Sequence, residues 1–161
     1  MVSAPIYSIP RPLNRETATR WIIEHETQRK QGEGLLLLAV DETGEVTGEV
    51  DVEVWPDLAS AEFGGALRVD IQNQSQGAAG ADLLGQWLFE EIGIRLIAMT
   101  AALDNVRTHR LLDRLGFVRM GERDCIRPDG TVRPSLYWEL RRVDWRLHRT
   151  DTNRKGLPGT G

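Results

Sequence analysis

The sequence predicts a mixed α/β (α+β) fold, in which a central sheet is flanked by helices. Three observations carry this prediction: six segments have the pattern of strands, three have helical periodicity, and a strand–loop–helix–strand unit spans residues 61–101. Such a helical crossover joins parallel strands, whereas short turns join antiparallel ones. The sheet should therefore contain both kinds of pairing.

The first half of the chain is predicted to contain one helix and three strands. Apolar residues at helical spacing predict a helix over about residues 15–30, with Asn14 as its cap. The continuous apolar run 35–40 predicts a central strand that is covered on both faces. Two more strands are predicted over 46–55 and 61–70. In the first of these, valines alternate with an acidic set, so one face of the strand is acidic: Glu49, Asp51 and Glu53.

The second half alternates helices with strands and ends in a hairpin. An uncharged polar loop at 72–77 leads into a helix over about 78–92 with one apolar stripe. A strand over 95–101 follows, and then a helix over 105–115 that Asn105 caps. A Pro-Asp-Gly turn at 128–130 joins the last two strands, predicted over 117–127 and 132–142.

Length and composition limit the class of protein. With 161 residues, 40% of them apolar and 27% charged, the chain has the composition of a soluble globular protein. We predict a single domain over residues 1–145 and a flexible tail over 146–161, where Arg, Thr, Asn and Gly accumulate. The formal net charge of −4 argues against a nucleic-acid partner.

Cysteine use and hydropathy bear on the cellular compartment. The single cysteine, Cys125, cannot form an internal disulfide or a multi-cysteine metal site and is typical of a reducing compartment. Residues 1–11 do not resemble a signal peptide, and no segment approaches the roughly 20 apolar residues of a membrane span. We therefore expect a cytoplasmic protein with no membrane partner, and no His, Asp or Glu spacing predicts a metal.

The polar loop before the second helix is the candidate binding element. A glycine-bearing loop at a helix N-terminus presents backbone N–H groups beside the positive end of the helix dipole. Such a loop can hold a phosphate without a basic side chain. Taken alone the pattern is weak, because many strand-to-helix loops contain glycine only to turn the chain.

Further motifs sharpen the interpretation of this loop. Residues 72–77, Gln-Asn-Gln-Ser-Gln-Gly, resemble the acyl-CoA loop of the GNAT superfamily of N-acetyltransferases, (Gln/Arg)-x-x-Gly-x-(Gly/Ala), and residues 62–67 resemble the strand that precedes it. Residues 105–117, Asn-Val-Arg-Thr-His-Arg-Leu-Leu-Asp-Arg-Leu-Gly-Phe, are similar to the Asn-x-x-Ser-x-x-Leu-Leu-x-x-Leu-Gly-Phe segment of RimJ/RimL-type members. The resemblance covers about residues 10–145.

This resemblance implies the GNAT acyl-CoA N-acyltransferase fold and transfer of an acetyl group from acetyl-CoA to a primary amine. The acceptor would be a protein N-terminus or a small-molecule amine. The residues that the resemblance places against acetyl-CoA lie in the loop, on its flanks and at the start of the next helix: Leu67, Val69, Gln72, Asn73, Gln74, Ser75, Gln76, Gly77, Ala78 and Asn105. Backbone N–H groups around 67–69 would stabilise the thioester carbonyl.

Acetyl transfer to an ammonium requires a base, and the departing thiolate needs a proton. The resemblance assigns the base to Glu62, with Asp51 and Glu53 as alternatives that act through water. It assigns the acid to Thr108, three residues after Asn105, because Leu112 occupies the position where many GNAT members have a tyrosine.

The sequence departs from the family pattern at two places. Ser75 stands where the loop usually has glycine, and RimJ/RimL-type chains have a first strand and helix that this sequence lacks. The missing strand leaves a sheet edge that a partner subunit or the C-terminal tail would cover, and a homodimer is a simple way to cover it. These departures also support an alternative function, a shortened non-catalytic module that binds acyl-CoA weakly or acts through dimerisation.

Overall fold

The computed structural model describes residues 9–10, 12–71, 76–126 and 130–155. Its elements follow the predicted order closely. The helices and strands are α1 (Arg15–Gln31), β1 (Gly34–Val40), β2 (Val46–Trp55), β3 (Ser60–Leu67), α2 (Gln76–Trp87), β4 (Leu96–Ala102), α3 (Val106–Arg114), β5 (Val118–Ile126), β6 (Val132–Arg141) and α4 (Arg142–Lys155). None of these helices is long and apolar enough to cross a membrane.

The strands form one six-stranded sheet in the order β1-β2-β3-β4-β6-β5. β3 and β4 run parallel, and every other neighbouring pair is antiparallel. The crossover through α2 therefore produces the parallel pair that the sequence predicts, and the mixed sheet is confirmed.

The position of β1 differs from the prediction. The apolar run 35–40 predicts a central strand, but among the strands of the described residues β1 pairs with β2 alone and lies at the edge of the sheet. Its last four residues are exposed, with Leu38 58% and Val40 60% accessible. The predicted absence of a strand before α1 concerns residues 1–8, which lie outside the described residues.

The helices lie on both sides of the sheet. On one side, α2, α3 and α4 cover the apolar face, where Val52, Ile97 and Trp138 are fully buried with Phe89. On the other side, α1 packs on β1 and contacts β2 through a hydrogen bond from its only buried residue, His25, to Asp51. The two sheet faces differ because alternate residues of β2 are apolar and acidic.

Helix α3 is fixed to the sheet by His109, for which the sequence predicts a surface position because it follows Thr108 on the helix and so points in a different direction. His109 is only 7% exposed; its Nε2 donates to the Ala102 carbonyl at the end of β4 (2.9 Å), and its ring contacts Trp138. The Trp138 indole N–H in turn donates to Asp113 (3.1 Å). The surface prediction is wrong, because the helix turns this side of α3 toward the sheet.

The C-terminal segment also differs from the prediction. A flexible tail is expected from residue 146, whereas α4 extends to Lys155. Trp145 is 4% exposed and packs against Phe89 at 5.3 Å between ring centroids. Arg149 donates to Asp82 of α2 (3.1 Å). The polar composition of residues 142–155 gives no local signal for this helix, because Trp145 is its one large aromatic residue that packs in the core.

Two predicted boundaries shift where the chain approaches the loop. The strand expected over 61–70 ends at Leu67, because Val69–Ile71 forms a 3-10 turn. In this turn the Ile71 N–H donates to the Arg68 carbonyl at 3.2 Å. Helix α2 begins two residues before the expected start, at Gln76. The first two residues of the predicted hairpin turn, Pro128 and Asp129, lie outside the described residues.

The packing of α4 predicts a measurable contribution to stability. Substitution Trp145→Ala removes a buried indole from the core and should lower the free energy of unfolding by about 3–5 kcal/mol in a denaturant titration. Leu147→Ala, on the same helix but 67% exposed, is the matched control and should change it by less than about 0.5 kcal/mol. Equal effects of the two substitutions would show that α4 does not pack against the core.

Candidate active site

The central feature of the site is a gap between the parallel strands β3 and β4. The two strands pair at only three positions, Ser60 with Leu96, Ala61 with Ile97 and Glu62 with Ala98. Beyond Glu62, β3 continues to pair with β2 as far as Leu67, while β4 remains paired with β6 as far as Ala102. The sheet therefore opens between two strands that are each held on their outer side.

A cavity of about 1320 Å³ occupies this gap and reaches both faces of the sheet. It is lined on one face by residues of α1, including Trp21 and His25, and on the other by residues of α2 and α3. A pocket for one small ligand usually measures about 300–1,000 Å³. The cavity thus has room for two substrates that enter from opposite faces.

The α2 and α3 side of the cavity is suited to an anion. Helix α2 begins at Gln76, so its first N–H groups lie at the end of the predicted loop. Gly77 and Gly80 line the cavity, and a Cβ on Gly80 would meet no atom within 4 Å. Three arginines on one side of α3 also line it: Arg107, Arg110 and Arg114.

The α1 side of the cavity is acidic. The alternation of β2 places three carboxylates on the face toward α1: Glu49, Asp51 and Glu53. Glu62 of the neighbouring strand β3 lies directly opposite Glu53. Gly64 lies opposite Asp51, and a Cβ there would have open space around it. Opposite charges therefore line the two ends of one cavity.

Glu62 occupies the point where the strands separate. Its Oε1 accepts from the Thr100 hydroxyl at 2.7 Å, and its carboxylate also accepts from the Thr100 backbone N–H. Burial raises the pKa of Glu62 and the nearby Glu53 charge adds to this, while the Thr100 hydrogen bonds and Arg133 oppose it. The Glu62 side chain thus links β3 to β4 at the point where the two strands separate, which we call the apex of the gap, and its pKa is raised.

The other carboxylates of the acidic face have contrasting surroundings. Burial, with repulsion from Asp51, raises the pKa of Glu49 to about 7 and also raises the pKa of Glu53. Asp51 accepts a hydrogen bond from His25 Nε2 at 2.8 Å. His25 Nδ1 lies 2.8 Å from the Trp21 carbonyl, which can only accept. Both ring nitrogens of His25 therefore face oxygen acceptors, which orients the ring between α1 and β2.

Asn105 and Thr108 line the cavity at the start of α3. The Asn105 side-chain oxygen accepts the Thr108 backbone N–H at 3.2 Å, which confirms the predicted cap. Because this bond holds the first turn, the Thr108 side chain keeps a set position on the cavity wall. The α3 residue Leu112, in the place of a tyrosine, is buried and also lines the cavity.

Most of the predicted site residues that the structure describes lie in this one cavity: Glu62, Leu67, Val69, Gly77, Ala78, Asn105 and Thr108. The residues Gln72, Asn73, Gln74 and Ser75, and the side chain of Gln76, lie outside the described residues. Among the described residues, no three His, Cys, Asp or Glu side chains are grouped to hold a metal ion.

The cavity is also lined by polar residues that the sequence does not assign to the site, among them His25, Glu49 and Arg133. His25 lies in an apolar stripe and Arg133 lies on a distant strand, so neither has a local signal. Glu49 belongs to the acidic alternation of β2, and that pattern is the only sequence signal that points to it.

Comparison with solved structures places the fold among acetyltransferases. The ribosomal-protein-S5-alanine acetyltransferase of Vibrio fischeri superposes with a TM-score of 0.71 at 15% identity, covering 87% of this chain and 81% of that one. A mutant of the spermidine N-acetyltransferase SpeG of Vibrio cholerae superposes with a TM-score of 0.69 at 15% identity, covering 83% and 79%. The first neighbour is consistent with the RimJ/RimL-like resemblance.

No curated protein matches the sequence. The family model described as acetyltransferase (GNAT) domain matches residues 2–118, which is most of the chain and begins before the motifs recognised above. Because it covers more than half of the chain, this match shows that the chain belongs to the GNAT acetyltransferase family and is an acetyl-CoA-dependent N-acetyltransferase.

Proposed function

We propose that the protein transfers the acetyl group of acetyl-CoA to a primary amine by direct attack within a ternary complex. The observation that supports this is the charge distribution of the cavity, with arginines and a helix N-terminus at one end and carboxylates at the other. An anionic thioester and a cationic amine would bind at opposite ends and meet in the gap. No covalent enzyme intermediate is then needed.

Acetyl-CoA occupies the end formed by α2 and α3 in this proposal. The phosphates lie against the loop residues 72–75, which are outside the described structure, and against the N-terminus of α2 at Gln76, Gly77 and Ala78. Asn105 hydrogen-bonds the pantetheine arm, and Leu67 and Val69 line its path. Arg110 and Arg114 attract the adenosine phosphates.

The thioester carbonyl lies beside β3, beyond its last pairing with β4. The Arg68 N–H donates to the Thr47 carbonyl of β2 at 2.8 Å. Because backbone groups alternate sides along a strand, the Gly65 N–H points the other way, toward the gap. It can donate to the carbonyl oxygen as negative charge develops there. This position is slightly earlier in the chain than residues 67–69, where the sequence places the donors.

Glu62 is the proposed base. Its raised pKa makes the carboxylate a better proton acceptor, and its hydrogen bonds to Thr100 hold it at the apex of the gap. It removes the proton of the acceptor ammonium, so that the nitrogen lone pair can attack the carbonyl carbon. The amide bond forms as the carbon–sulfur bond breaks. The Thr108 hydroxyl donates a hydrogen bond to the departing sulfur, which leaves as the thiol after it takes the second proton that the nitrogen loses.

The acceptor is either a protein N-terminus or a small-molecule amine. Of the two structural neighbours named above, one is named for a ribosomal protein and the other for spermidine, so both kinds of acceptor occur with this fold.

Substitution Glu62→Gln should lower kcat by about 10²–10⁴-fold in steady-state kinetics, because the base is lost. In the parent, kcat/KM should fall as the pH decreases, with a midpoint above 4.5, since the Glu62 pKa is raised and only its deprotonated form accepts a proton. The acidic limb should be absent in the variant. A larger loss in Glu53→Gln than in Glu62→Gln would instead assign the base to Glu53.

Substitution Thr108→Ala should lower kcat, because the sulfur loses its hydrogen-bond donor, and Thr108→Ser should restore it. Calorimetric titration should give unchanged acetyl-CoA affinity in both variants. Equal kcat in the alanine variant and the parent removes Thr108 from the mechanism. Absence of acetyl-CoA binding by the parent at millimolar concentration would defeat the proposed enzyme and favour the non-catalytic module.

We also propose that the protein is a cytoplasmic homodimer. The compartment is supported by the free thiol of Cys125. The dimer is supported by the exposed apolar residues Leu38 and Val40 on the edge strand β1, which a second copy would cover. Light scattering should give a mass of two chains, and Leu38→Lys should shift it toward one. A parent mass of one chain at micromolar concentration would contradict the dimer.

A further inference from the structure

Arg133 of β6 is a buried cation at the cavity that no step of the proposed reaction uses. Its residue is only 6% exposed, yet it lines the same cavity as Glu62 and Thr100. Arginine is rarely buried unless its charge acts on a nearby group. The position of Arg133 relative to Glu62 shows which group this is.

Arg133 and Glu62 lie on the same face of the sheet. Thr100, whose hydroxyl donates to Glu62, lies opposite Tyr137 of β6. Side chains two residues apart on a strand share a face, so Arg133 shares the face of Tyr137, which follows it by four residues. On this face the cavity is therefore lined by a carboxyl group from β3 and by a guanidinium group from β6.

The side chain of Arg133 is held by Ser135, which is fully buried. Arg133 Nε donates to Ser135 Oγ at 3.0 Å, and the Ser135 hydroxyl donates to the Arg133 carbonyl at 3.1 Å. Because Ser135 lies between Arg133 and Tyr137 on β6, the first bond directs the guanidinium along the strand toward Tyr137. Tyr137 is level with Thr100, so the charge is directed toward the apex and held there.

Three strands contribute groups that act on Glu62. From β2, Glu53 adds a negative charge, which raises the pKa of Glu62 as burial does. From β4, Thr100 donates hydrogen bonds, and from β6 the charge of Arg133 lowers that pKa. Among the described residues that act on Glu62, Arg133 is the one cation.

The other titratable groups on this face have partners of their own. The Tyr137 hydroxyl donates to Glu139 at 2.7 Å, and burial together with this hydrogen bond raises the pKa of Tyr137 to about 12. Tyr137 is therefore neutral at physiological pH. On α1, His25 Nε2 lies 2.8 Å from Asp51. The positive charge at Glu62 thus comes from Arg133.

We propose that Arg133 is a positioning residue for acetyl transfer, whose fixed charge keeps the Glu62 carboxylate ionised where burial and Glu53 favour the neutral acid. The inference rests on the proposed function, in which Glu62 accepts the proton of the acceptor ammonium. Arg133 acts through Glu62 alone and contacts neither substrate. A neutral Glu62 could not take the proton, so the charge of Arg133 extends activity to lower pH.

The pH profile of kcat/KM tests this role, because its acidic limb reports the ionisation of the base in the free enzyme. Arg133→Gln removes the charge and should move the midpoint of this limb upward by about 1 pH unit. Arg133→Lys keeps the charge and should move the midpoint less. Damage to packing alone would lower kcat/KM at every pH and leave the midpoint in place.

The matched control is Arg123→Gln. Arg123 lies opposite Ser135 on the neighbouring strand β5 and is exposed, with its guanidinium carbon 4.0 Å from the Tyr137 ring centroid. Solvent and salt screen its charge, so the midpoint should stay within about 0.2 pH unit of the parent value. An unmoved midpoint in Arg133→Gln, or an equal displacement in Arg123→Gln, overturns the proposal.

A second variant keeps the test decisive if Arg133→Gln does not fold. Ser135→Ala removes the acceptor of Arg133 Nε but leaves the charge in the protein. It should move the midpoint in the same direction as Arg133→Gln, because the guanidinium is no longer held toward the apex. An unmoved midpoint in both Ser135→Ala and Arg133→Lys then overturns the proposal.

A measurement without turnover separates this proposal from the proposed function. In protein with isotope-labelled glutamate, NMR follows the Glu62 carboxyl resonance against pH, and Glu62→Gln identifies the resonance by its loss. It should titrate at higher pH in Arg133→Gln than in the parent. If it does and no amine is acetylated, the proposed function fails and the coupling of Arg133 to Glu62 stands. If acetylation occurs and the resonance titrates at the same pH in both proteins, the function stands and the role of Arg133 fails.

Discussion

The separation of β3 from β4 is the constraint on which the rest of the site depends. Two parallel strands would ordinarily continue to pair, but here the pairing ends at Glu62 and Ala98. The Glu62 carboxylate takes the Thr100 hydroxyl and N–H as its donors, so a side chain replaces the backbone of β3 as their partner. The outer strands β2 and β6 keep each half of the sheet in register.

The opening also explains why the two faces of the sheet can carry opposite charge without cancelling. The sheet lies between the arginines of α3 and the carboxylates of β2, and only the gap connects them. Each substrate therefore meets a complementary field on its own side, and attraction between the two sides is limited by their separation. The reacting groups meet where the sheet itself is interrupted.

The acidic face shows how a small set of carboxylates acquires different roles. Glu62, Asp51 and Glu49 all line the same cavity, yet Glu62 accepts from Thr100, Asp51 accepts from His25, and the oxygens of Glu49 are buried. Burial raises the pKa of Glu62 and of Glu49, as it does in sites where neighbouring carboxyl groups divide acid, base and binding roles. Such division needs residues from α1, β2, β3 and β4 together.

Local patterns were sufficient for much of this molecule. Periodicity and capping located α1 and α3, the crossover predicted the parallel pair β3 and β4, and the motifs around residues 62 and 105 led to a cavity that both segments line. These features depend on neighbours in sequence. The edge position of β1 among the described strands, the burial of His109 and the helix α4 depend on contacts between distant segments, and the sequence did not predict them.

The same division holds for the chemistry. Residue identity and spacing determined the family motifs, the presence of carboxylates on alternate positions of β2 and the hydroxyl at Thr108. Only tertiary structure decided that His25 donates to Asp51 and that the carboxylate oxygens of Glu49 are buried. The reason is that pKa and hydrogen bonding depend on burial and on groups brought from other elements, which no local pattern encodes.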